Sequence, residues 1–177
     1  MSNSSNPSIV ICTAPIADEI EQYAANELRT YLLKLYGIHA RIGKPSGEDV
    51  AFLLGGSNVN PCVARMADDQ PVPSVSNQGF VLRSFDTRGK RGMIIAGGSP
   101  AATMWGVYEF VERLGVVYTL HGDMICEHDG PFELPILDEV VEPALRVRAF
   151  RQWNEHGASP ESFGLEEQCR FLDQLAK

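Results

Sequence analysis

Apolar and polar residues along this chain fall into patterns that predict alternating strands and helices. Ser8–Thr13 is a short apolar run halted by Ala14 and Pro15, which suits a buried strand. Ile16, Ile20, Tyr23, Ala24, Leu28, Tyr31, Leu32 and Leu35 follow at three- and four-residue steps. Asp18, Glu19, Glu21, Glu27, Arg29 and Lys34 hold much of the opposite side, so a long amphipathic helix is predicted, stopped at Gly37. His39–Gly43 alternates as a strand, and Val50–Leu54 is a continuous apolar strand running into Gly55, Gly56 and Ser57. Residues 58–77, with three prolines, read as an irregular loop with one helical turn around Cys62–Met66.

Gly79–Phe85 and Arg91–Ala96 read as two strands joined by a polar hairpin connection over residues 86–90. Gly97-Gly98-Ser99-Pro100 then launches a second helix, with Ser99 as N-cap and Pro100 in the first turn, where its missing N–H costs nothing. Ala101, Met104, Trp105, Tyr108, Val111 and Leu114 make its predicted inward stripe, and Gly115 ends it. Val116–Leu120 is another short strand. Each helix follows a strand and has one apolar face. The pattern therefore predicts an α/β fold of the α+β type, a two-layer sandwich in which two helices cover one mixed sheet.

Residues 131–144, rich in proline and acids, read as an extended linker. Arg146–Trp153 then reads as a strand opening a second domain, and the stretch from Leu165 to Lys177 as its first helix. Any chemistry is accordingly expected to depend on residues beyond 177.

Composition narrows the function. The 177 residues are 44% hydrophobic, enough for one core with a short remainder. Fifteen basic against 23 acidic residues give a net charge of −8 without an arginine stripe, which argues against a nucleic-acid partner. Cys12, Cys62, Cys126 and Cys169 are far apart, with no C-x-x-C, and are expected to be free thiols. Residues 1–7 are polar and expected to be disordered. They carry no signal-peptide pattern and no later apolar run reaches membrane-spanning length, so the sequence as written reads as soluble and cytoplasmic with no membrane partner, while the cell compartment itself stays unknown.

Three stretches together resemble a known domain. Ala24-Ala25-Asn26-Glu27-Leu28 with Tyr31-Leu32 and Tyr36-Gly37 is the first, and Gly79-Phe80-Val81-Leu82 with Ile94 to Pro100 the second. The third is Trp105-Gly106-Val107-Tyr108-Glu109-Phe110-Val111-Glu112-Arg113-Leu114-Gly115. Over roughly residues 8 to 150 the chain resembles the N-terminal domain of family 67 alpha-glucuronidases, related to the small domain before the barrel in family 20 beta-hexosaminidases. The resemblance implies a zincin-like α/β accessory domain over 8–130, the linker over 131–144, and the first strand and helix of a truncated (β/α)8 barrel over 145–177. Hydrolysis would then reside in barrel carboxylates beyond Lys177, no catalytic residue carries over, and the carbohydrate substrate would be met through that barrel.

Among candidate site residues, Arg151, Trp153 and His156 lead. The end of a barrel strand is where substrate groups gather, an arginine can grip a uronate carboxylate, and an indole can stack on a sugar face. The competing reading is that this strand merely fills the barrel. Arg148 and Asn154 belong to the same set, while Glu155 and Glu161 read as solvated loop acids. His121, Asp123, Glu127, His128 and Asp129 match no ligand motif and H-E-x-x-H is missing, so no metal and no cofactor are expected. Gly97–Ser99 reads as tight strand-to-helix packing rather than a phosphate cradle. Phe150, Phe163, Phe171 and Leu172 are expected to leave an apolar surface open to self-association.

Overall fold

The computed structural model describes residues 6–67, 71–87, 89–126, 130–149 and 162–177. Its elements are β1 (Ile9–Cys12), α1 (Glu19–Tyr36), β2 (Arg41–Ile42), β3 (Val50–Leu54), α2 (Pro61–Ala67), β4 (Phe80–Thr87), β5 (Lys90–Gly97), α3 (Pro100–Arg113), β6 (Val116–Thr119), β7 (Gly122–Ile125), β8 (Asp138–Val141) and α4 (Leu165–Ala176). Six strands form a mixed sheet in the order β2-β1-β3-β5-β4-β8. β2, β1, β3 and β5 run parallel, and β4 is antiparallel to both β5 and β8. β6 and β7 form a separate hairpin.

Strand alternation divides the sheet's side chains between two faces. Ile9, Ile11, Phe52, Leu54, Leu82, Met93 and Ile95 pack under α1 and α3 in the larger core. Burial of each such side chain contributes about 1.5–3 kcal/mol. Cys12, Leu53, Val81, Ile94 and Ala96 face the other way, where Val63 of α2 and Val72 and Val75 of the following coil provide a thinner cover.

α1 starts later than its periodicity suggests. Asp18 caps it by accepting from the Ile20 N–H at 2.8 Å, and Gly37, at φ 67°, closes it in the left-handed conformation. Ile16 therefore precedes the helix and is exposed, Ile20 and Tyr23 lie outside the inward stripe, and Glu21 is buried instead. The stripe on α3 is also broader than predicted. This helix is wedged between the sheet and α1, so Ala102, Gly106, Val107, Phe110 and Val111 are buried with Tyr108, while Met104 and Trp105 are only half-buried. Gly106 permits the approach, because a Cβ there would lie 2.8 Å from Ile95 Cγ2.

Two strands depart from the sequence reading. Gly122–Ile125, for which no strand is predicted, is β7. Asp138–Val141, read as linker, is the sheet's edge strand, with Leu82 opposite Glu139 and Phe80 opposite Val141. Ser84 N–H donates to Leu137 O at 2.8 Å, and Phe132 is buried against Tyr36 and Phe52. Of the strand expected over 146–153, residues 146–149 pair with no strand, and the rest lies outside the described residues. α4 forms where predicted. Its Phe171 is buried rather than exposed, with Phe163 edge-on at 6.3 Å, whereas Leu172 is exposed.

Candidate functional site

A groove of about 400 Å³ runs beside α3. Trp105, Glu109 and Glu112 line it from that helix, Tyr118 from β6, and Gln78 and Arg148 from the flanking coils. The Arg148 guanidinium sits 5.7 Å from the Trp105 ring centroid, within cation–π range. Arg148 also donates to Gln78 Oε1 at 3.0 Å and to Leu145 O at 2.8 Å, and Gln78 Nε2 donates to Arg146 O at 2.8 Å. One glutamine thus fastens residues 145–148 along the groove.

Burial, and then the charge of Glu109, raises the Glu112 carboxyl above the ordinary glutamate value. Glu109 is paired with Arg113 at 2.7 Å, and Arg113 reaches on to Glu139 of β8 at 3.1 Å. Glycosidic hydrolysis needs two carboxyl groups on opposite sides of the scissile bond. Glu109 and Glu112 are three residues apart on one helix and approach the groove from the same side. The groove can bind through an arginine, an indole, an amide and carboxylates, but this carboxylate pair is not arranged to cleave.

Residues 2–110 match the model of the glycosyl hydrolase family 67 N-terminus. The chain belongs to that family. Among solved structures, a family GH115 4-O-methyl-alpha-glucuronidase with specificity for decorated arabinogalactans shares the fold, with a TM-score of 0.60 and 18% identity. The superposition covers 80% of this chain and 18% of that one, so the chain spans less than a fifth of that enzyme's length. No curated protein matches the sequence. The family 67 match ends within α3, so the β6–β7 hairpin, β8 and α4 lie beyond it.

In this family 67 N-terminal chain, Arg151, Trp153 and His156 lie outside the described residues, as do Asn154, Glu155, Glu161 and residues 127–129. Arg148 of the same set is the member that the structure places in the groove. Asp123, weighed above as a metal ligand, instead accepts from Tyr31, Gln174 and Lys177. No group of three His, Cys, Asp or Glu side chains among the described residues is placed to hold a metal ion. No helix among them is long and apolar enough to cross a membrane.

Gly97–Ser99 is consumed by packing. A Cβ on Gly98 would fall 1.9 Å from Ser76 O, Gly98 N–H donates to Gly79 O, and Ser99 Oγ donates to Asn77 O while capping Ala102 N–H. The sequence reading missed Gln78, Glu109, Glu112 and Tyr118 as groove residues. Only the helical spacing of Trp105, Glu109 and Glu112 on α3 hinted at a shared face.

Proposed function

We propose that this chain is the non-catalytic N-terminal part of a carbohydrate-degrading glycoside hydrolase of the alpha-glucuronidase type, with bond cleavage carried out by a (β/α)8 barrel beyond residue 177. The family 67 match over residues 2–110 carries this reading. The glucuronidase fold likeness and the one-sided placement of Glu109 and Glu112 support it. The zincin-like α/β unit over 8–130, extended by its β8 edge strand, braces the barrel, and residues 145–177 lead into it. Arg151, Trp153 and His156 follow directly on the coil that Gln78 fastens to the groove. In the intact enzyme they reach the substrate, Arg151 gripping a uronate carboxylate and Trp153 stacking on a sugar face.

The test is hydrolysis of a chromogenic alpha-glucuronide by the 177-residue chain. No release above the buffer rate is expected, and turnover at an enzyme-like rate would overturn the assignment.

One observation favours a second reading, a stand-alone carbohydrate-binding module. α4 is held to the α/β unit by Gln174 and Lys177, which both reach Asp123 of β7, instead of standing apart as a barrel piece. Titration calorimetry of the chain with glucuronate-bearing oligosaccharides separates the two readings. Saturable binding at micromolar concentrations supports the module.

A further inference from the structure

Lys177 is the least expected side chain in the molecule. Lysine is almost never fully buried unless paired, and here the side chain is only 4% exposed. Its Nζ lies 5.9 Å from the Tyr31 ring centroid, 5.8 Å from Tyr108 and 5.6 Å from Tyr118. These rings come from α1, α3 and β6, three elements far apart in sequence. Tyr118 meets Tyr31 and Tyr108 edge-on, at 6.2 and 5.5 Å between centroids, so the rings hold one another in place.

Carboxylates complete the enclosure. Nζ donates to Asp123 Oδ1 at 2.9 Å and Oδ2 at 3.1 Å, and pairs with Asp173 Oδ2 at 2.9 Å. Three ammonium hydrogens therefore meet three carboxylate oxygens. Asp123 is itself oriented, accepting from Tyr31 Oη at 2.6 Å and Gln174 Nε2 at 3.0 Å. Tyr108 Oη donates to Glu27 at 3.1 Å, leaving its ring for the cation.

We propose that Tyr31, Tyr108, Tyr118 and Asp123 form a binding site for a primary alkylammonium group, with Lys177 as its resident ligand, and that this side chain fastens α4 to the α/β unit. Beside it stand the Gln174 Nε2 bond to Asp123 and the Tyr23 Oη bond to Asp173, while Leu165, Leu172 and Leu175 of α4 are exposed. Three aromatic faces with a paired carboxylate select a compact cation over a planar guanidinium. The proposal does not rest on the glycosidase reading.

Chemical rescue tests it. In Lys177→Ala, hydrogen exchange of the α4 amides should speed up about tenfold or more, while amides of β3 and β5 keep their protection and report an intact fold. Propylammonium ion at tens of millimolar should restore α4 protection; propan-1-ol at the same concentration should not. Asp123→Asn in the same background should abolish the rescue. Unchanged α4 protection in Lys177→Ala would overturn the proposal, as would failure of propylammonium to rescue or equal rescue by the alcohol.

Discussion

Glu21 is a buried carboxyl with no basic partner described beside it. Burial, and to a smaller extent the charge of Asp18, raises its pKa above the ordinary 4.5, against an opposing hydrogen bond from the Asp18 backbone. A carboxyl raised on folding destabilises the native state once pH climbs past its unfolded value. Glu21→Gln keeps the backbone hydrogen bond and should stabilise the chain at pH 7, with the gain vanishing by about pH 4. Urea unfolding of both proteins at the two pH values checks this, and an equal difference at both would refute it. Asp123 behaves oppositely. Burial pushes its carboxyl up, but bonds from Tyr31, Lys177 and Gln174 outweigh that and hold it below 3.8. Its contribution is present above pH 3.8 and is lost as pH falls through the lower folded value. Acid titration followed by tyrosine fluorescence should show a step there that Asp123→Asn removes. Gly98 has no room at all, so Gly98→Ala should cost at least about 1–3 kcal/mol through overpacking against Ser76 O. Thermal unfolding by circular dichroism would show it.

At the scale of elements, legibility followed pattern length. α1, α3, β3 and the β4–β5 hairpin were readable because each carries a sustained period or a strong cap, with Ser99 and Gly37 fixing helix ends. β7 and β8 were not, because four residues show barely two alternations, and the acids of β8 look like linker composition. What makes Asp138–Val141 a strand is not local. Arg83 pairs with Asp138 at 2.7 Å, Arg113 reaches Glu139, and Glu142 accepts from Ser76 N–H and Oγ, both at 2.6 Å. Exposed contacts of this kind contribute little each. β8 amides should therefore exchange markedly faster than those of β3 and β5, and equal protection would show that the edge is held by more than these contacts.

At the scale of the whole molecule, the candidate site was the least legible part. The groove gathers Gln78, Trp105, Tyr118 and Arg148, and the ammonium cage gathers Tyr31, Tyr108, Tyr118, Asp123 and Lys177, from elements that no local spacing connects. Only packing brings them together. The thiols, by contrast, follow burial simply. Cys12 is buried and its thiol is pushed up to about 12, chiefly by desolvation with Cys62 next, whereas Cys126 and Cys169 are exposed. Under native conditions a maleimide should label Cys126 and Cys169 rapidly and Cys12 only after unfolding. Fast native labelling of Cys12 would contradict the packing of α2 over β1 and β3.

The register of β3 against β5 joins two parts of the chain, as does the packing of α1 on α3. β1, α1, β2 and β3 make one set, and the β4–β5 hairpin with α3 makes the other. Val50 opposite Arg91 and Leu54 opposite Ile95 are pairs some forty positions apart. Closing such loops delays parallel pairing relative to hairpins and helices. The hairpin and α3 can assemble early on their own contacts, and the distant pairings of β3 with β1 and β5, and of β4 with β8, then set the pace at which the sheet becomes one piece.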